Sequence, residues 1–462
     1  MKIINHITLW VFLFISHISF SNVSLPSIFG DHMVLQQNAE VKIWGWGNPT
    51  EEITITTGWN SKTIKTVTNN EATWQVKIIT PKAGGPFEIT IEGYNKIIIK
   101  DVLIGEVWLC SGQSNMEWTP SAGIDNAEEE IAKAYYPSIR FFSTPKKASQ
   151  YPQLDLEGEW KVCTPETMQY FSAIGYFFGQ KINSTLNIPV GLISSNWGGS
   201  PAEVWIPENV IRNDQILNEA SIKLKEEPWS PNKPGMAYNT MIYPLINFKL
   251  AGVLWYQGET NTQNAATYAE LLSTLIHTWR KNWNDFFPFY YAQIAPYRYG
   301  EDNFNGVIVR DQQRKVLNST DNTGMIIVSD IGNINDIHPR NKKDVGLRFA
   351  SLALNRTYGI KNIAYSGPVF KKFEIENNKM RLKFDFSEGL KFTKKLNGFE
   401  IAGTNGKFYP ANAKIDKDNT VVVWNNKVKT PVTVRYEWNN VAEPGLINNT
   451  GIPASSFTTG DY

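Results

Sequence analysis

The stretch Val102-Leu103-Ile104-Gly105-Glu106-Val107-Trp108-Leu109, continuing as Cys110-Ser111-Gly112-Gln113-Ser114-Asn115-Met116, decides the reading of this chain. The mostly apolar run reads as a buried strand, and it stops abruptly in small and polar residues. That pattern presents the Ser114 hydroxyl at the carboxyl end of a sheet strand, where open α/β folds place their chemistry. A serine at a strand-to-helix junction also has a plainer reading, as a helix N-cap.

Further apolar runs follow at Val190–Ser195, Gly252–Tyr256, Phe289–Ile294 and Met325–Val328. Helical stretches lie between them. In Tyr268–Trp283 the residues Tyr268, Leu271, Leu272, Leu275, Ile276 and Trp279 fall on one face, and Asp344–Tyr358 repeats the pattern with Val345, Phe349 and Leu352. Strands alternating with helices over 101–360 imply an α/β domain with a doubly wound parallel sheet. The flanks alternate with period two instead. Val41–Gly47, Ile53–Thr56, Ala72–Ile78 and Phe87–Ile91 suggest an N-terminal β domain over 22–100. Met380–Phe386, Val421–Trp424 and Val432–Trp438 suggest a C-terminal β region over 361–462, and both flanks are expected to be β-sandwich-like.

Residues 1–21 read as a secretory signal peptide, with Lys2, an apolar stretch from Ile7 to Phe20, and small residues at Ser19 and Ser21. The expected mature protein is secreted or periplasmic, without membrane insertion. Net charge is +1 with interspersed signs, which points away from a nucleic-acid partner. The 16 Trp, 19 Tyr and 24 Phe fill large cores, or stack on sugars. The two cysteines, Cys110 and Cys163, fit a disulfide or two buried thiols equally.

Most strands of the central region end in something polar. These ends are Gly112-Gln113-Ser114-Asn115, Ser195-Asn196-Trp197-Gly198-Gly199-Ser200, Gln257-Gly258-Glu259-Thr260-Asn261, and Asp330 followed by Asp336-Ile337-His338. In a doubly wound sheet they converge on one crevice. Acyl transfer needs a nucleophile, a base and donors for an oxyanion. Ser114 is the candidate nucleophile, and its own N–H, a glycine N–H at Gly198 or Gly199, and the Gln257 amide are the candidate oxyanion donors. Beyond the leader only His32, His277 and His338 remain, and His338 alone lies in a loop beside a strand tip. Asp336 is its candidate acid, with Asp330 competing. No His-Glu-x-x-His or calcium-loop pattern occurs, so no metal is expected. Glycosidase chemistry needs paired carboxylates, and Glu106, Glu117, Glu203 and Glu259 lie near strand tips.

Four ordered blocks resemble the sialate O-acetylesterase family, a branch of the SGNH-type carbohydrate esterases. They are Gly112–Met116, Asn196–Gly199, Trp255–Asn261 and Asp336-Ile337-His338-Pro339-Arg340. Asp31–Gln36, Phe171–Tyr176 and Pro189–Ile193 look similar too. The resemblance implies a flavodoxin-like catalytic domain and hydrolysis of acetyl esters on sugars through an acetyl-serine, without cofactor. It maps Ser114 to nucleophile, His338 to base, Asp336 to acid, and Ser114, Gly199 and Gln257 to the oxyanion site. Two departures from the broader SGNH pattern stand out: Asn335 lies three positions before His338, where that pattern has Asp, and Gln257-Gly258-Glu259 replaces its asparagine block. Glu259, Asn261, Arg310 and Arg340 are the candidate substrate contacts, the arginines for a sialate carboxylate. Two other functions compete: an acetylxylan or other polysaccharide acetyl esterase, and a carbohydrate-binding protein without turnover.

Overall fold

Lys96–Gly112 forms one long strand, here β1, and the molecule is organised around it. In this computed structural model the described residues are 22–300, 303–394 and 398–461, so the expected leader over 1–21 lies outside them. The apolar residues at the C-terminal half of β1 are buried without a break, as a strand covered on both faces requires.

The other strands of the central sheet are β2 (Tyr136–Ser143), β3 (Trp160–Cys163), β4 (Val190–Asn196), β5 (Gly252–Tyr256), β6 (Phe289–Ala292) and β7 (Thr323–Ile326). Their order across the sheet is β7-β6-β5-β1-β4-β2-β3. Neighbours pair in parallel except β3, which runs antiparallel to β2. The architecture is thus mixed α/β with a central, mostly parallel sheet. β4 and β5 flank β1 on opposite sides, so the connections wind in both directions from it. Their carboxyl ends open at that reversal, where such sheets take ligands.

The five strands expected from apolar runs are all present. The pair β2 and β3 was not expected. Pro137 and the buried Arg140 interrupt the apolar pattern of β2. Arg140 is tolerated there because Asp101 accepts its guanidinium hydrogen bonds at 2.7 and 3.2 Å.

Helices α1 (Ser114–Glu117), α2 (Ala173–Leu186), α3 (Tyr268–Trp283), α4 (Asn305–Ser319) and α5 (Lys342–Arg356) concern the site. α3 buries the stripe read from its spacing, and its Trp279 indole donates to the Trp205 carbonyl at 2.8 Å. Trp108, Trp205, Trp255 and Trp279 are fully buried, each contributing on the order of 2–3 kcal/mol of apolar burial.

β1 also pairs with Gly84–Glu92 and Val34–Gln36, which belong to the N-terminal strands. The boundary expected after residue 100 therefore falls inside a continuous strand, and one apolar core runs across it. Among the described residues the C-terminal strands form two four-stranded sheets and one two-stranded sheet around a second core that includes Phe399, Val423 and Phe457. Cys110 and Cys163 are both buried free thiols, so the two do not form a disulfide, and burial pushes the Cys110 thiol up to about 12.

Candidate active site

At the end of β1 the chain must turn sharply while still paired on both sides. Gly112 has φ +136°, and a Cβ there would lie 2.2 Å from the Tyr256 carbonyl oxygen of β5. Only glycine fits. The next residue, Gln113, donates its N–H to that same carbonyl at 3.0 Å, and its side-chain oxygen accepts the Gly258 N–H at 3.3 Å. Helix α1 begins at Ser114, whose N–H, in the first position, has no intrahelical acceptor. The serine hydroxyl is therefore fixed between the ends of β4 and β5.

The loop after β7 brings His338 to it. His338 Nε2 lies 2.8 Å from Ser114 Oγ. The imidazole stacks on Trp118, with ring centroids 4.4 Å apart and planes 21° from parallel. Burial holds the His338 imidazole below its ordinary value, reinforced by the Lys342 ammonium and opposed by Asp336 and Glu117. A neutral imidazole beside a serine hydroxyl is the form that accepts its proton. Asp336 Oδ1 accepts the His338 backbone N–H at 2.9 Å, so this carboxylate holds the loop and acts on the ring through its charge. Asp330, the competing acid, is clamped by Arg348 at 2.7 and 2.5 Å.

Among the candidate oxyanion donors, two backbone N–H groups have no hydrogen-bond acceptor among the described residues. One is that of Ser114. The other is that of Gly199, which sits at φ +78° in the turn after β4. The Gly198 N–H is occupied, donating to Glu117 Oε2 at 2.6 Å. Around these groups lies a cleft of about 750 Å³, walled by Trp118, Trp197, Trp229, Tyr299, Glu259 and Lys146. Lys146 is the one lysine or arginine among its described lining residues, and it pairs with Glu117.

Residues 104–355 of the chain match the family described as carbohydrate esterase, sialic acid-specific acetylesterase. The chain belongs to that family. The sialate O-acetylesterases of Homo sapiens and Pongo abelii are 33% and 32% identical to it, over 89% of this chain and 87% of each relative. The crystal structure of a carbohydrate acetylesterase from Xanthomonas citri is similar over 95% of this chain and 100% of that one, at 35% identity and a TM-score of 0.87. As a member of this family the chain is a carboxylic ester hydrolase.

Among the other expected site residues of this esterase, Glu259 lines the cleft. Three do not. The Gln257 amide is fully buried and donates to Ser200 O and Asn261 Oδ1 at 3.2 and 2.7 Å, while its oxygen accepts from Tyr268. Its donors are spent on holding the β5 loop, which corrects its expected place in the oxyanion site. Asn261, also fully buried, donates to Glu203 and Asn264 at 2.9 Å and accepts the Ala202 N–H. It is a loop clamp, not a substrate contact. Arg310 is buried in α4, where it donates to the Asn439 and Asn440 carbonyls of the C-terminal region. Arg340 is exposed beside Gly123 and does not line the cleft.

The clamp makes a prediction. Asn261→Ala strips one donor from the buried Glu203 carboxylate, whose affinity for a proton burial already raises. Stability is expected to fall by about 2–4 kcal/mol, read from the denaturant midpoint. The KM of the folded fraction should stay near wild type, whereas a substrate contact would raise it.

Trp229, Tyr299 and Lys342 carried no sequence signal. Trp229 and Tyr299 come from irregular segments. Lys342 occupies the first turn of α5, where a lysine ordinarily points to water. Here its ammonium donates to Asn115 Oδ1 at 2.5 Å, and burial pushes it down to about 7.

Proposed function

We propose that this enzyme hydrolyses acetyl esters on sialic acids or closely related sugars through an acetyl-serine intermediate. The observation that carries this reading is the 2.8 Å contact between Ser114 Oγ and His338 Nε2 at the floor of an aromatic-walled cleft. Ser114 passes its proton to His338 as its oxygen attacks the acetyl carbonyl. The oxyanion develops toward the Ser114 and Gly199 N–H groups. Collapse expels the sugar oxygen, which takes the proton back from His338. A water then gives its proton to His338 as it attacks the acetyl-serine, and collapse releases acetate while the Ser114 oxygen takes that proton back from His338. The strand order supports a doubly wound, flavodoxin-like fold of the SGNH type with β-sandwich-like flanks. The leader-like residues 1–21 support action outside the cytoplasm.

The family and the named relatives favour sialate. One observation favours acetylated neutral polysaccharide such as xylan: among the described residues no unpaired cation lines the cleft to receive a sialate carboxylate. Acetate release from O-acetylated sialic acid and from acetylated xylan, measured side by side, decides. Release from the sialic acid alone supports the proposal. Release from xylan alone keeps the mechanism and replaces the substrate, and an absence of release from both and from every simple acetyl ester removes both.

The pH profile follows from the His338 environment. Its proton affinity is lowered, so the neutral base persists below the ordinary histidine value of 6.5. The acid limb of kcat/KM should have its midpoint below 6.5. Asp336→Asn removes a charge that favours the imidazolium, and is expected to move that limb further down. A limb that stays in place, or moves up, contradicts the electrostatic role given to Asp336.

A further inference from the structure

Two buried polar atoms in the cleft wall have no hydrogen-bond partner among the described residues: Glu259 Oε2 and the Tyr299 hydroxyl. Both residues line the cleft that holds Ser114. Glu259 is only 5% exposed. Its other oxygen accepts the Asn115 amide at 2.6 Å, and Asn115 in turn accepts from Lys342 at 2.5 Å. Asn115 follows the nucleophile directly, so the carboxyl group is pinned relative to Ser114 through Oε1 and left with Oε2 unspent. Tyr299 is steadied by an edge contact with Tyr297, ring centroids 5.2 Å apart, and by a bond from Asn303 to its carbonyl at 3.2 Å.

A buried polar atom left unpaired is unfavourable, and native structures keep few of them. Two in one wall of one cleft mark a place where something else supplies the partners. The chemistry of the pair narrows what that is. A carboxylate oxygen accepts and a phenol donates. A second carboxylate would be repelled by Glu259, and an apolar group would leave both atoms unpaired. An alcohol satisfies the two together, giving its proton to Glu259 and accepting one from Tyr299.

We propose that Glu259 and Tyr299 together hold a free hydroxyl of the acylated sugar, so that the enzyme selects acetyl esters carrying an unmodified hydroxyl near the acetylated one. The inference rests on the esterase reading of the same cleft and names what that site recognises. Free hydroxyls beside the ester would raise kcat/KM, and esters of plain alcohols would be poor substrates. Full acetylation of the sugar would remove the recognised group, so the last acetyl groups on a sugar would be released faster than the first.

The test compares 1-O-acetylglycerol with propyl acetate, which lacks the hydroxyls but brings no added bulk. Wild type is expected to prefer the glycerol ester by about 100-fold in kcat/KM. Tyr299→Phe deletes an atom that bonds to no protein group and should fold normally. It is expected to cut that preference by about tenfold, with Glu259→Gln moving it in the same direction. Equal rates on the two esters in wild type, or a preference unchanged in Tyr299→Phe, overturn the inference while leaving the esterase standing. No release from either ester or from an aryl acetate overturns the esterase reading and this inference with it.

Discussion

Ser114→Ala is expected to lower acetate release by roughly 10⁴–10⁶-fold while leaving the denaturant midpoint nearly unchanged. The reasoning is local. The Ser114 hydroxyl meets His338 Nε2 at 2.8 Å, and among the described residues no backbone group depends on it. The helix it opens is only four residues long, its N-cap position is Gln113, and that side chain caps no N–H of the helix. The serine hydroxyl therefore contributes little to stability. The proposed oxyanion donors are backbone groups and survive the substitution, so a small residual rate above the uncatalysed reaction should persist. A substantial loss of stability in Ser114→Ala would return the residue to a capping role. Activity within tenfold of wild type would remove it as nucleophile.

Gly112→Ala carries the next largest effect, and it acts on the fold. The glycine sits at φ +136° with the Tyr256 carbonyl 2.2 Å from where a Cβ would go. Both obstacles are backbone, so no side-chain rotation relieves them. Gly112 also accepts the Trp197 N–H at 3.0 Å, which ties β1 to the turn holding Gly199. Moving Gly112 would shift Ser114, the β5 loop and the Gly199 turn together. A loss of about 3–5 kcal/mol is expected, together with loss of activity in any folded fraction. Calorimetry or denaturant unfolding alongside acetate release checks both. A variant with wild-type stability would mean that β1 can leave the sheet by another path.

The central strands and the serine–histidine pair were legible because each is written locally. Val102–Leu109 is apolar enough to declare a buried strand, and the tips after it are polar enough to declare an opening. His338 stood out because few histidines compete with it. What was not legible depends on partners distant in sequence. Gln257 and Asn261 look like site residues at a strand tip, but Ser200, Glu203 and Ala202 draw their amides into a clamp. A polar residue at a tip can equally face the cleft or brace the loop, and sequence does not say which way it points. β2 hid behind Pro137 and Arg140, whose burial makes sense only with Asp101 in place. Nothing local to Lys342 separates it from an ordinary first-turn lysine; its burial is explained by Asn115, far away in sequence. The aromatic wall divides in the same way, since sequence does not separate the tryptophans of the core from Trp118, Trp197 and Trp229 at the cleft.

The central claim is that acetyl transfer passes through Ser114. Its most direct test is acid quenching of the wild-type enzyme during turnover of an aryl acetate bearing an isotopically labelled acetyl group, followed by peptide mass spectrometry. The account predicts the label on the peptide containing Ser114, present at early quench times and absent from Ser114→Ala. Label recovered on another residue, or full turnover with no labelled peptide at any quench time, would contradict it.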